Sequence, residues 1–164
     1  MSMAITNPRI ADRPSVLFVC MGNICRSPLA EAALRALASS RGVDLSVDSA
    51  GTGPWHVGEP PDPRSRAEAA RHGVDISDQR ARQINIADFD RFDLIVAMDR
   101  DNLAHLRRMR PPGSGAELAL LLDHVPGREG QQVGDPYYGG PEGFRTAWAD
   151  ATEAAGGILE RLRA

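Results

Sequence analysis

The chain has 164 residues, 42% hydrophobic and 25% charged, with two cysteines, Cys20 and Cys25. That length and composition suit one globular domain with a real core. Two neighbouring thiols exclude a disulfide scaffold and leave a zinc site short of ligands. The net charge of −3 and sequence pI of about 5.8 give no basic field for nucleic acid. All 19 basic residues are arginine, as a GC-rich coding bias would produce.

Residues 1–14 read as a flexible leader, and residues 15–164 as a single domain. The leader holds Arg9, Asp12 and Arg13 but no apolar stretch, so it is not a signal peptide. No segment approaches the roughly 18 apolar residues of a membrane span. The expected location is the cytoplasm, with signal-less export left open.

Val16–Val19 is a short apolar run that predicts a buried parallel strand. Cys20 to Ser27 forms a polar turn. Ser27 reads as an N-cap, Pro28 as the first helical position, and Glu31 as a complement to the helix dipole. Gly42 closes that helix. Leu45–Ser49 predicts a second strand, with a turn over Ala50–Gly53. Trp55–Asp62 is a loop, and a helix begins at Asp62 or Pro63 and stops at Gly73. Ser77–Asn85 reads as a helical turn or loop that feeds a strand over Phe92–Ala97. Asp99 caps a helix over Arg100–Met109. Leu118–Leu122 reads as a strand, Gly127–Gly140 as a long loop, and Phe144–Leu162 as a final helix with Gly156 and Gly157 weakening its middle. Strands alternating with helices predict a three-layer α/β sandwich: a four-stranded parallel twisted sheet with helices on both faces.

Chemistry concentrates where the first strand ends. Cys20-Met21-Gly22-Asn23-Ile24-Cys25-Arg26-Ser27 places a cysteine, five residues, an arginine and a serine between strand and helix. Such a loop can curl its backbone N–H groups around an anion at a helix N-terminus. Gly22 and Asn23 both tolerate left-handed backbone. Arg26 can hold two phosphate oxygens at once, and the positive field favours a thiolate nucleophile at Cys20. A bare cysteine–arginine spacing is weak; the strand before it and the helix after it are what give it weight. The lysine of an ATP-type phosphate loop is absent. Thiolate attack on a phosphate ester still requires an acid for the leaving oxygen. Asp135-Pro136-Tyr137-Tyr138, in the stretch Gly134–Gly140, offers one. Alone it would read as a plain surface turn.

Together these motifs resemble the low-molecular-weight protein tyrosine phosphatase family. The segments Asp48–Thr52, Trp55–Gly58, Ala81–Gln83 and Ala97–Asp99 match it in the same order, and the likeness runs from about Pro14 to the C-terminus. The resemblance implies Cys20 as the nucleophile that forms a cysteinyl-phosphate, Arg26 as the phosphate-binding arginine, and Asp135 as the general acid. Met21, Gly22, Asn23, Ile24, Cys25 and Ser27 complete the phosphate loop, with the Ser27 hydroxyl assisting thiolate departure. Asn23 is the strained residue, supported by Ser49. Gln79 stands where many members place a histidine in that support, and Gly42 where some place a serine, so a softer loop is expected. Trp55, Tyr137 and Tyr138 wall a substrate cleft, with Met21 and Ile24 at its rim. Cys25 forms a reversible disulfide with Cys20, or else packs as an inert hydrophobe. Trp148 reads as core, Asp99 as a helix cap near the site, and the four histidines as structural or exposed. The implied substrate is phosphotyrosine in proteins, with inorganic phosphate or other oxyanions in the loop. Neither cofactor nor metal is implied, nor any nucleic acid or membrane partner, and the expected assembly is a monomer or weak dimer. Two alternatives are an arsenate reductase of the same fold and a non-catalytic phosphotyrosine-binding protein. The first lacks a third cysteine for its relay. The second has no use for a thiol and an acid.

Overall fold

A computed structural model describes residues 13–163. Four parallel strands, β1 (Ser15–Cys20), β2 (Ser46–Gly51), β3 (Leu94–Ala97) and β4 (Glu117–Leu120), form one sheet in the order β2-β1-β3-β4. β1 is therefore central, paired with β2 from Ser15↔Ser46 to Cys20↔Gly51 and with β3 from Val16↔Leu94 to Val19↔Ala97. Alternation along β1 divides the core. Val16 and Phe18 pack with α1 (Arg26–Ser40), α2 (Pro63–Arg71) and α5 (Pro141–Arg163). Leu17 and Val19 pack with α3 (Asp88–Arg91) and α4 (Arg100–Met109) on the other face. This is the expected three-layer arrangement.

Several boundaries move, each for a physical reason. α1 begins at Arg26 with Cys25 at its cap position and no side-chain cap, so Ser27 does not cap the helix. Its hydroxyl turns to Cys20 and Asn23 instead. Pro28 is third in the helix, where its missing N–H still costs no hydrogen bond. Glu31 lies beyond the first turn and is spent on Ser49 and Arg35. β2 runs on through Ala50 and Gly51, because Gly51 pairs with both Cys20 and Gln83. A Cβ at Gly51 would stand 2.8 Å from the Met21 carbonyl oxygen, so glycine there lets the loop after β1 settle against the strand. The stretch 77–85 does not feed β3 directly, since α3 intervenes. β4 ends at Leu120, and Leu121–His124 winds into a 3₁₀ turn.

Asp62 and Asp99 do cap their helices, accepting from Arg64 N–H and Asn102 N–H. Trp148 is buried and stacks on His72, ring centroids 4.8 Å apart. α5 is continuous through Gly156 and Gly157; a Cβ on Gly157 would overlap the carbonyl oxygen of His124, while one on Gly156 meets nothing. Among the described residues no helix is long and apolar enough to cross a membrane. Residues 1–12 of the expected leader lie outside the described residues. Its last two are tied to the sheet: Arg13 pairs with Asp44, and the Pro14 carbonyl accepts from Ser46 N–H at 2.8 Å.

Candidate active site

The carboxyl end of β1 opens into a cleft of about 320 Å³. Cys20, Met21, Gly22, Ile24, Cys25 and Arg26 line it from the loop, Trp55 and His56 from one side, and Asp135, Tyr137 and Tyr138 from the other. This is where parallel α/β sheets place ligands.

The Cys20 sulfur sits at the end of the central strand, 2% exposed. It lies 3.0 Å from Ser27 Oγ and accepts from Asn23 N–H at 3.3 Å. Asn23 is the one non-glycine residue with left-handed backbone among the described residues, φ 59°. Its side chain is fully occupied in holding that turn: Nδ2 donates to Ser27 Oγ and Ser49 Oγ, each at 2.9 Å, and Oδ1 accepts from Arg82 N–H at 3.0 Å. Ser49 Oγ in turn donates to Glu31 Oε1, whose other oxygen accepts from Arg35. Burial raises the Glu31 pKa, and the hydrogen bonds from Arg35 and Ser49 hold it back in part.

Gln79 is not part of this network. Its Nε2 donates to the Pro28 carbonyl at 3.3 Å, and its Oε1 has no partner. Asn23 is held instead by the Ser27 and Ser49 hydroxyls and the Arg82 backbone N–H. Gly42, with φ 65°, terminates α1 and takes no part either.

Arg26 is 3% exposed and firmly seated. Nη1 donates to Asp99 Oδ2 at 2.8 Å and to the Val133 carbonyl at 2.9 Å. Nη2 faces Asp135 Oδ2 at 3.7 Å. Burial alone would lower its pKa, but Cys20, Asp99 and Asp135 outweigh that and the net shift is upward. Asp99 is thus both a helix cap and the fixed anchor of the guanidinium. Asp135 is about a third exposed, and its Oδ1 accepts from Tyr137 N–H at 3.1 Å.

Cys25 packs beneath the loop with Ile24, Ala81 and Phe144. Burial, with help from the nearby charges of Asp62, Cys20 and Asp135, pushes its thiol up to about 12. Both cysteines are free. Trp55 is 65% exposed and Tyr138 93%, while Tyr137 stands edge-on to Tyr138 with centroids 4.9 Å apart.

Sequence reasoning missed four contributors. His56, expected to be structural or exposed, lines the cleft, and its neighbour Trp55 was the available signal. Glu31 and Arg82 act through contacts no local pattern announces. Arg64, on the first turn of α2, reaches the acid-bearing loop.

A buried thiol, an anchored guanidinium and a carboxylate around one cleft of a parallel α/β sheet are the equipment of a phosphatase. The chain belongs to the family of low molecular weight phosphotyrosine protein phosphatases, whose model matches residues 15–164. It is 39% identical over 150 residues to the low molecular weight phosphotyrosine protein phosphatase of Schizosaccharomyces pombe, covering 90% of this chain and 96% of that one. It is 44% identical over 153 residues to the low molecular weight protein-tyrosine-phosphatase of Streptomyces coelicolor, covering 90% and 93%. The crystal structure of YfkJ from Bacillus subtilis matches with a TM-score of 0.86 and 37% identity, covering 93% of this chain and 96% of that one. The fold, the family and the tyrosine phosphatase activity expected from the sequence therefore stand, and the arsenate reductase and non-catalytic readings are not favoured.

Proposed function

We propose that Cys20, Arg26 and Asp135 carry out phosphotyrosine hydrolysis in two steps, without metal or cofactor. In the first, Cys20 thiolate attacks phosphorus in line. The S–P bond forms as the P–O bond to the aryl group breaks, and the Asp135 proton passes to the departing phenolate oxygen. In the second, water attacks the cysteinyl-phosphate, Asp135 carboxylate takes its proton, and the sulfur leaves as thiolate with a hydrogen bond from Ser27. Arg26 holds two equatorial oxygens in both steps. The observation that carries this reading is the meeting of the three groups at one cleft, with Arg26 between the other two.

The cleft walls suit an aryl ester. Trp55, Tyr137 and Tyr138 offer flat apolar faces, with Met21 and Ile24 completing the mouth. Gly22 and Cys25 lie along the loop, where phosphate or other oxyanions bind. The substrate is phosphotyrosine in a protein, the enzyme acts as a monomer or weak dimer, and its place of action is the cytoplasm. Peroxide oxidises Cys20 thiolate to the sulfenic acid, which condenses with the Cys25 thiol to a disulfide and water.

Hydrolysis of p-nitrophenyl phosphate and of a phosphotyrosine peptide, with EDTA present, tests the scheme. Cys20→Ser abolishes turnover, and Asp135→Asn lowers kcat for the peptide by about 10²–10⁴. Turnover surviving Cys20→Ser, or requiring added metal, refutes it.

A further inference from the structure

The acid-bearing loop is tied to the start of α2 by a single side chain, Arg64. Arg64 is gripped by the cap of its own helix: Asp62 Oδ1 accepts from Nε and Oδ2 from Nη2, each at 3.0 Å. That cap is seated on the phosphate loop, since Asp62 N–H donates to the Ile24 carbonyl at 2.8 Å. Ser65 Oγ donates to the Cys25 carbonyl at 3.2 Å, a second tie between the same helix start and the same loop. From this footing the guanidinium reaches over. Nη2 donates to the Tyr137 carbonyl at 2.8 Å and Nη1 to the Gly139 carbonyl at 3.1 Å. Its flat face lies 4.6 Å from the Phe144 ring centroid and 5.7 Å from that of Tyr137.

Tyr137 is the residue whose N–H fixes Asp135 Oδ1. One residue, Tyr137, is thus held by Arg64 at its carbonyl and holds the acid through its N–H. Among the described residues, no other side chain from outside the loop donates to its backbone between 134 and 139. Gly134, Gly139 and Gly140 leave the segment pliant on either side of Pro136. A fixed phosphate loop and a pliant acid loop need a strut between them, because proton transfer fails when the acid strays by about an ångström.

We propose that Arg64 is a positioning residue for the proton transfer, a rigid link from the phosphate loop through Asp62 to Tyr137 and so to Asp135. This rests on the reading of Asp135 as the general acid. Arginine suits the post because one planar group makes two carbonyl contacts, two carboxylate contacts and two ring contacts together.

The test compares kcat/KM for phenyl phosphate, whose leaving oxygen must be protonated, with that for 2,4-dinitrophenyl phosphate, whose phenolate leaves unaided. Asp135→Asn lowers the first by about 10²–10⁴ and the second by less than about threefold. Arg64→Ala lowers the first by about 10–10² and the second by less than about threefold. Arg64→Lys recovers part of the loss, since an ammonium can reach one carbonyl but cannot stack. A general structural role predicts instead that Arg64→Ala lowers both substrates alike, and that outcome overturns the proposal, as does no effect on either. Selectivity in Asp135→Asn but not in the Arg64 variants overturns this proposal alone. Absence of selectivity in Asp135→Asn overturns the acid assignment and this proposal with it. Where Arg64→Ala does not fold, Arg64→Gln gives the same comparison.

Discussion

Asn23 concentrates three hydrogen bonds, two of them buried, and one left-handed backbone conformation in a single residue, and the two contributions can be separated. Asn23→Ala removes the bonds to Ser27, Ser49 and Arg82 N–H, each worth about 0.5–1.5 kcal/mol net. It also places an ordinary Cβ at φ 59°, where left-handed backbone costs roughly 1–2 kcal/mol. The total loss is about 2.5–6.5 kcal/mol. Asn23→Gly loses the same bonds but not the backbone strain, offset in part by glycine's greater freedom in the unfolded chain. The glycine variant is therefore the more stable of the two, by roughly 1 kcal/mol. For a domain of this size that is a Tm difference of about 2–4 °C. Scanning calorimetry of both variants measures it, and a phosphate inhibition constant taken alongside reports the loop. Both variants bind phosphate more weakly than wild type. Equal melting temperatures for the alanine and glycine variants, or unchanged phosphate affinity in both, would refute the reasoning.

The paired glycines of α5 make opposite predictions: Gly156→Ala raises stability by about 0.5–1 kcal/mol through helix propensity, whereas Gly157→Ala lowers it by about 1–3 kcal/mol through overpacking against the His124 carbonyl. Chemical denaturation of the two distinguishes them, and equal effects would mean α5 does not press on the 3₁₀ turn. His124 is buried and accepts from Arg161 at Nε2, and burial holds its pKa below the ordinary value of about 6.5. Its contribution to stability is complete above about 6.5 and is lost as the pH falls toward the depressed folded value. Tm profiles between pH 7 and 5 are thus flatter for His124→Gln than for wild type; parallel profiles contradict this. Inactivation by peroxide is reversed by thiols in wild type but not in Cys25→Ser, and identical recovery would remove the protective role.

What the sequence made legible is what short-range chemistry decides. The apolar run of β1, the caps Asp62 and Asp99 and the loop between Cys20 and Ser27 all advertise themselves within a few residues. Ser27 was misread as a cap because its partners, Cys20 and Asn23, lie inside the curl of the loop and not at the helix end. Gln79 enters the Asn23 support by resemblance alone, yet its amide turns to the Pro28 carbonyl, and the backbone N–H of Arg82 is what reaches Asn23 Oδ1. Arg64 offered no pattern at all, since its role arises only when the start of α2 meets a loop more than seventy residues further on. The glycines misled in both directions. Gly51 read as a turn and is a strand residue that admits the loop; Gly157 read as a weakness and is a point of contact.

The order of the strands has a consequence for how the protein is made. β1 leaves the ribosome before its neighbours, yet it occupies the middle of the sheet. β2 follows closely, but the opposite edge of β1 stays open until residues 94–97 have been synthesised. At about 5–20 residues per second this leaves the central strand half-covered for a few seconds. Asp135 arrives later still, after β4. The nascent chain thus acquires its thiol first and its acid last.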